Sequence, residues 1–126
     1  MVTLIHQIIQ ELKDNKNLAS ELAEELEDLN APLSIIAHHR GMASTYKELI
    51  ASLNNGGISL PEVKRLMNDT KKIMEDFRQN NVPLSLVASQ QGHLEAYEHF
   101  SKLFPKNRIK LQRVYNYKIV GYSVAA

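Results

Sequence analysis

Apolar residues recur at three- and four-residue spacing through most of this chain, a pattern typical of helices that bury one face. The spacing predicts helices over residues 3–29, 32–53, 59–79 and 83–104. Polar and turn-forming residues separate these segments, so we expect a chain made mainly of helices joined by short loops.

The boundaries between the helices carry residues that end or begin a helix. Asn30 suits a left-handed helix end, and Pro32 can only start a new element. The segment Asn54-Asn55-Gly56-Gly57 has the composition of a loop. Ser59 is a good helix N-cap, and Pro61 suits the first turn that follows it.

A stretch of 24 residues occurs twice, at a single offset of 51 positions. Residues 30–53 and 81–104 share seven identities, which in the first copy are Asn30, Pro32, Leu33, Ser34, Ala37, Gly41 and Tyr46. We interpret this as the duplication of a helical hairpin of about 51 residues. The first repeat covers about residues 3–54 and the second about 58–104. Two stacked hairpins predict a core like that of a four-helix bundle.

Residues 105–126 differ in character, because β-branched and aromatic residues replace helix formers. We expect Pro105 to end the preceding helix, and residues 108–115 and 117–124 to form strands that turn near Asn116. The predicted fold is therefore mainly α, a single domain over residues 1–126 with a duplicated helical core and a C-terminal β-hairpin or strand.

An α/β or α+β fold is the alternative. In this interpretation Leu33–Ala37 and Leu84–Ala88 are short strands that pair with the C-terminal strands. The alternative gives the C-terminal strands a sheet to join, which matters because an isolated hairpin is only marginally stable.

The duplicated stretch also resembles the helix-turn-helix class. Leu33, Ile36, Ala37 and Gly41 have its spacing, and the same spacing recurs in the second copy. The resemblance implies that Gly41 lies in a turn between two helices, with the C-terminal strands in the place of a wing. It also implies a nucleic-acid-binding regulator.

Charge is distributed unevenly although the net charge is only +1. Residues 11–28 carry seven acids and two bases, whereas residues 99–126 carry six bases and no acid. Such polarity favours binding to a protein partner, self-association, or contact between a basic surface and nucleic acid. The chain has no cysteine and no apolar run of membrane-spanning length, so we predict a cytoplasmic protein without a membrane contact.

The pair His38 and His39 is a possible polar site. A histidine followed by Arg40 and Gly41 resembles the phosphotransfer-helix pattern, which implies a phosphoryl-accepting histidine. Surface histidines without a chemical role are the favoured interpretation, because the second copy keeps the glycine and not the histidines. Adjacent histidines on a helix also point about 100° apart and do not easily share a metal.

Glu95 and His99 lie four residues apart and could share a metal, but two ligands are too few for a site. We interpret them as a hydrogen-bonded surface pair. No phosphate-binding loop or catalytic motif occurs in the sequence, so we predict neither a metal nor a cofactor.

These features favour a small non-enzymatic binding protein, an adaptor, regulator or assembly subunit that acts through protein–protein contacts. A nucleic-acid-binding regulator is the alternative, and an enzyme or phosphotransfer protein centred on the histidine pair is the less favoured class. The candidate binding residues are Arg40, Lys47, Lys106, Arg108, Lys110, Arg113, Tyr115 and Tyr117. Basic and aromatic side chains together are what a single-stranded nucleic acid requires, and basic residues also keep an edge strand soluble.

Overall fold

Four α-helices follow one another in the described part of the chain. The computed structural model describes residues 4–115 and 118–119, with side chains described for residues 5–103. The helices are α1 (Leu4–Asp28), α2 (Leu33–Asn54), α3 (Leu60–Gln79) and α4 (Leu84–Tyr115). The predictions of a mainly helical chain and of bundle-like packing are confirmed.

Two short strands complete the described structure. Strand β1 (Ile58–Ser59) pairs antiparallel with β2 (Lys118–Ile119), with Ile58 opposite Ile119. The predicted strand over residues 117–124 is therefore present only at two residues, and the rest of that segment lies outside the described residues.

The turns between the helices of each hairpin have the same geometry. Asn30 and Asn81 adopt left-handed conformations, with φ of 56° and 53°. Beyond them, the amide of Ala31 bonds the carbonyl of Leu26, and that of Val82 bonds the carbonyl of Phe77. This is the Schellman arrangement, which satisfies the last carbonyls of a helix and turns the chain sharply.

The helix start predicted at Ser59 is confirmed. Its hydroxyl accepts a hydrogen bond from the Glu62 amide at 3.3 Å and donates one to the Glu62 carboxylate at 2.9 Å. The cap satisfies an amide that has no partner within α3.

The main core lies at the carboxyl-terminal half of α2 and the middle of α4. It joins side chains of all four helices and β1, namely Ile5, Ile8, Ile9, Leu12, Tyr46, Leu49, Leu53, Ile58, Val63, Ala96, Tyr97, Phe100 and Leu103. A smaller cluster of Met74, Val87 and Leu94 packs α3 on α4. α2 packs on both α1 and α4, while α3 packs mainly on α4. None of the helices described has a stretch long and apolar enough to cross a bilayer.

Several predictions of local structure are wrong. α4 continues through Pro105, and residues 108–115 are helical rather than a strand. Proline removes one helical hydrogen bond but does not forbid the helix, and β propensity depends strongly on context. Leu33–Ala37 and Leu84–Ala88 are helical, so the α/β alternative is also wrong.

The helix-turn-helix prediction is also wrong, because the segment is continuous helix. α2 and α4 pass without interruption through Gly41 and Gly92, where that motif needs a turn. The two glycines serve a contact between helices instead.

Candidate functional site

α2 and α4 run side by side in the same direction. Contacts join position 41 with 89, position 45 with 93 and position 46 with 99, so the position numbers rise together along the two helices. We call residues 37–46 of α2 and 88–99 of α4 the α2–α4 junction. The junction brings together residues that differ between the two copies of the duplicated stretch.

Two glycines let the helix backbones touch at this junction. A Cβ atom on Gly41 would lie 2.3 Å from the Ser89 carbonyl oxygen, and one on Gly92 would lie 2.1 Å from the His38 carbonyl oxygen. Ser89 and Gly92 lie 51 positions after His38 and Gly41, so the two contacts exchange under the offset of the duplication. Reciprocal contacts of this kind are the mark of two-fold-related packing.

On one side of the junction, His38 bonds to Glu95. The His38 Nε2 atom lies 2.6 Å from the Glu95 carboxylate, and the Gln91 amide donates to the same carboxylate at 3.4 Å. Because a carboxylate can only accept, Nε2 carries a proton and donates it. The ring of His39 stacks on that of His38 at 5.4 Å between centroids. Burial, followed by the charge of His38, lowers the pKa of His39.

A chain of three polar groups links α1, α2 and α4. The Tyr46 hydroxyl lies 2.8 Å from His99 Nδ1, and His99 Nε2 lies 3.4 Å from the Glu11 carboxylate. In the neutral imidazole, Nε2 donates to Glu11 and Nδ1 accepts from the tyrosine hydroxyl. Burial raises the pKa of Tyr46 to about 12, and the charges of Glu95 and Glu11 act in the same direction. The tyrosine therefore stays neutral and serves as a hydrogen-bond donor.

His93 occupies the opposite side of the junction. Its Nδ1 atom lies 2.6 Å from the Thr45 hydroxyl, which is fully buried. Burial lowers the pKa of His93, although the charge of Glu48 and a hydrogen bond to the Gly41 backbone oppose the change. The imidazole is therefore predominantly neutral at pH 7.

A groove of about 400 Å³ opens beside His93 at the amino-terminal ends of the two helices. Its described lining residues are Leu33, Ala37, Arg40, Gly41, Ser44, Ser85, Leu86, Ser89 and His93. Arg40 also forms an ion pair with Glu27 at the end of α1. A larger depression follows α1, but its described lining comes from that helix alone.

Exposed apolar side chains gather at the same end of the molecule. Five of the seven large apolar residues that are exposed among those described lie here: Leu29, Leu33, Ile35, Leu84 and Leu86. Their exposed fractions range from 43% to 77%. We call these five residues the end surface. Four of them occupy equivalent positions of the two copies, Leu33 with Leu84 and Ile35 with Leu86.

The structure separates the residues that the sequence singled out. Arg40 lines the groove, whereas Lys47 is exposed on α2 outside its lining. His38 and His39 lie together on the opposite side of the junction. Lys106, Arg108, Lys110, Arg113 and Tyr115 are on the helical backbone of α4, with side chains outside those described, and Tyr117 lies outside the described residues. The nucleic-acid prediction for this segment stays a prediction.

Sequence reasoning missed how Glu95 and His99 are used. They do not bond to each other, since Glu95 pairs with His38 and His99 with Tyr46 and Glu11. These three partners, His38, Tyr46 and Glu11, lie 53 to 88 positions away along the chain, a separation that spacing within one helix cannot reveal. Within the described residues, no group of three or more acids and histidines could hold a metal ion.

Comparison with known proteins adds no functional information, so any functional assignment is based on the junction, the groove and the end surface. The chain matches no protein-family model, and it shows no significant similarity to a curated protein or to a solved structure.

Proposed function

We propose that this chain is a non-enzymatic binding protein that contacts a partner protein through the end surface. The concentration of exposed apolar side chains at one end carries the proposal. Single apolar residues scattered over a surface need no explanation, but several gathered at one end of a molecule are often part of an interaction site. Leu33 and Leu86 line the same groove, so side chains from both helices belong to one surface.

The backbone beneath the end surface supports this role because hydrogen-bonded turns and a close helix contact hold it in place. Asn30 and Asn81 turn the chain in the same hydrogen-bonded way just before α2 and α4 begin. The Gly41 and Gly92 contacts then hold the two helices at a short distance. A preorganised surface loses little conformational freedom on binding, which leaves more of the contact energy for affinity.

The proposed occupant is a short apolar segment of another protein. Five partly exposed aliphatic side chains present a few hundred Å² at most, in the range of the largest apolar patch of an ordinary monomer. A stable interface between two whole proteins buries roughly 800 Å² on each side. The area therefore suits a segment better than a second copy of the chain.

Selection of peptides from a random-sequence library tests the proposal. The target is the full chain, and the comparison is a variant with Leu33→Asp and Leu84→Asp. We expect the enriched peptides to be apolar and to lose at least about tenfold in affinity for this variant, because two charges then lie where apolar contacts form. The matched control carries Leu18→Asp and Ile73→Asp, two exposed apolar positions away from the end surface.

Two results would count against the proposal. One is a library that yields no enriched peptide, and the other is equal loss of affinity in the end-surface variant and in the control. Light scattering tests the occupant separately. If the wild type is a dimer that the end-surface variant dissociates, the occupant is a second copy and not a partner segment.

A further inference from the structure

The groove beside the end surface has an apolar part and a polar part. Leu33, Ala37 and Leu86 supply the apolar part, and the hydroxyls of Ser44, Ser85 and Ser89 supply neutral hydrogen-bonding groups. Among the described lining residues there is no acid, and Arg40 is the one with a permanent charge. Burial keeps His93 predominantly neutral at pH 7. The groove therefore combines apolar contact with a single positive charge.

The guanidinium of Arg40 is available to a new partner. Its present partner is Glu27, and the two side chains are 55% and 56% exposed. Exposed ion pairs contribute little to stability, so a second carboxylate can replace that of Glu27 at small cost. A guanidinium also presents paired N–H donors that match the two oxygens of a carboxylate.

The other side of the junction shows what the groove lacks. The positions that correspond to Arg40, Ser44 and Ser89 under the offset of 51 are Gln91, Glu95 and His38. There the Glu95 carboxylate bonds both Gln91 and His38. On the groove side a serine replaces that glutamate, and the carboxylate that now pairs with Arg40 is Glu27 of α1, from outside the groove lining.

We infer that the groove binds the carboxylate of an aspartate or glutamate in the partner segment, with Arg40 exchanging Glu27 for the incoming group and Leu33 and Leu86 contacting an apolar neighbour. This inference rests on the proposed function and adds the chemistry of the partner. It assigns Glu27 the role of an internal competitor. Removal of Arg40 and removal of Glu27 must then have opposite effects on binding.

Titration of two synthetic peptides into the full chain tests the inference. The probes are acetyl-Leu-Glu-Leu-amide and acetyl-Leu-Gln-Leu-amide, which differ only in one carboxylate, and binding is followed by amide chemical shifts in NMR. We expect the glutamate peptide to bind about tenfold more tightly and to shift the amides of Ala37, Gly41 and Ser89. Arg40→Gln should abolish that preference, and Glu27→Gln should strengthen glutamate-peptide binding about two- to fivefold.

Lys47→Gln is the matched control, because it removes an exposed positive charge of α2 that lies outside the groove lining. It should leave the preference between the two peptides unchanged. Equal binding of both peptides to the wild type overturns the inference, as does weaker binding of the glutamate peptide after Glu27→Gln.

A third probe, octanoate, separates the two sources of a carboxylate. Tighter binding of octanoate than of the glutamate peptide would assign the groove to a small amphiphile and overturn the partner segment as its occupant. The inference and the proposed function can also fail independently. Suppose that library peptides lose affinity when Leu33 and Leu84 are replaced but bind Arg40→Gln as well as the wild type. The proposed protein binding is then supported and the carboxylate site is overturned.

Discussion

Three histidines at the α2–α4 junction each bond a different side chain. His38 bonds Glu95, His93 bonds Thr45, and His99 joins Tyr46 to Glu11. No buried side-chain nitrogen or oxygen in the described part of the chain lacks a hydrogen-bond partner. A buried polar group that is satisfied costs little, whereas one that loses its partner costs the full desolvation of the group left behind. The junction is therefore sensitive to single substitutions.

Tyr46→Phe tests the link between α2 and α4. It removes the hydroxyl that His99 accepts from, and we expect the free energy of unfolding to fall by about 1–2 kcal/mol. Tyr97→Phe is the matched control, because it removes the same hydroxyl at the equivalent position of the second copy and leaves the bond between Tyr46 and His99 in place. Its effect should stay below about 0.5 kcal/mol. Urea unfolding measures both, and equal losses would contradict a specific role for the bond to His99.

The pH dependence of stability tests His93. Because its pKa in the folded chain lies below the ordinary 6.5, the unfolded chain takes up a proton at a pH where the folded chain does not. The contribution of His93 is therefore fully present above about pH 6.5 and is lost as the pH falls through the lowered pKa. His39 acts with the same sign.

We expect the free energy of unfolding to fall less steeply between pH 7 and about pH 5 in His93→Gln than in the wild type. Urea unfolding at a series of pH values measures the two slopes. A comparison at pH 8, where the imidazole is neutral in both states, isolates the loss of the bond to Thr45. Identical slopes in the two proteins would show that burial does not lower the pKa of His93.

At the level of helices and turns, the sequence predicted most accurately the features that depend only on residues close together in the chain. The helix ends at Asn30 and Ser59 follow from backbone conformations and caps that need only a few residues. The prediction of a strand over 108–115 was wrong. It relied on the β propensity of branched and aromatic residues, whereas the segment continues the helix α4. Spacing within the helix did not decide which of two adjacent isoleucines is buried: Ile36 is buried and Ile35 is 43% exposed.

The role of the glycines could not be predicted from their spacing. A turn and a close helix contact both require the absence of a side chain, so Gly41 is compatible with either. Only the position of α4 decides between them, through the Ser89 carbonyl next to Gly41. The candidate site shows the same limit. Arg40 was predicted as a binding residue from its charge, but its neighbours Ser85 and Ser89 come from the other copy.

Gly41→Ala and Gly92→Ala test the helix contact. In an ordinary exposed helix position this change stabilises by about 1 kcal/mol, since alanine favours the helix. Here the added methyl group meets a backbone carbonyl that cannot move without separating the helices. We therefore expect each substitution to lower the free energy of unfolding by about 2 kcal/mol overall.

Ala51→Gly provides the matched control, because it is the reverse exchange at an exposed position of α2. It should cost about 1 kcal/mol from helix propensity alone. Denaturant unfolding of the three variants separates packing from propensity. A Gly41→Ala or Gly92→Ala protein that is more stable than the wild type would rule out a close contact at that glycine.

Over the whole molecule, the four helices differ in how many neighbours they have. α2 packs on α1 and α4, and α4 packs on α2 and α3, so this central pair is covered from two directions. α1 and α3 are outer helices, and each packs mainly on one of the pair. The main core includes residues of all four helices, but the amino-terminal half of α4 meets α3 through a small cluster around Met74. Fewer contacts per helix imply a lower free energy of local opening.

Native-state hydrogen exchange should resolve this order. We expect the slowest exchange in α2 and in residues 84–103 of α4, and faster exchange in the second halves of α1 and α3. The end surface is built on the first turns of the central pair, so the proposed binding residues Leu33 and Leu84 would be carried by the most stable helices. A rigid base of this kind favours binding without a large change of shape.

Two core substitutions make the test specific. Met74→Ala removes a buried side chain from the small cluster, and Leu53→Ala removes one from the main core, each at a cost of about 2–5 kcal/mol. Met74→Ala should accelerate exchange in α3 while residues 36–53 of α2 keep most of their protection, because α3 can open while the central pair stays packed. Leu53→Ala should accelerate exchange in all four helices, because its cluster holds them together. If Met74→Ala lowers protection equally everywhere, the four helices open as one unit, and the central pair is not an independently stable base for binding.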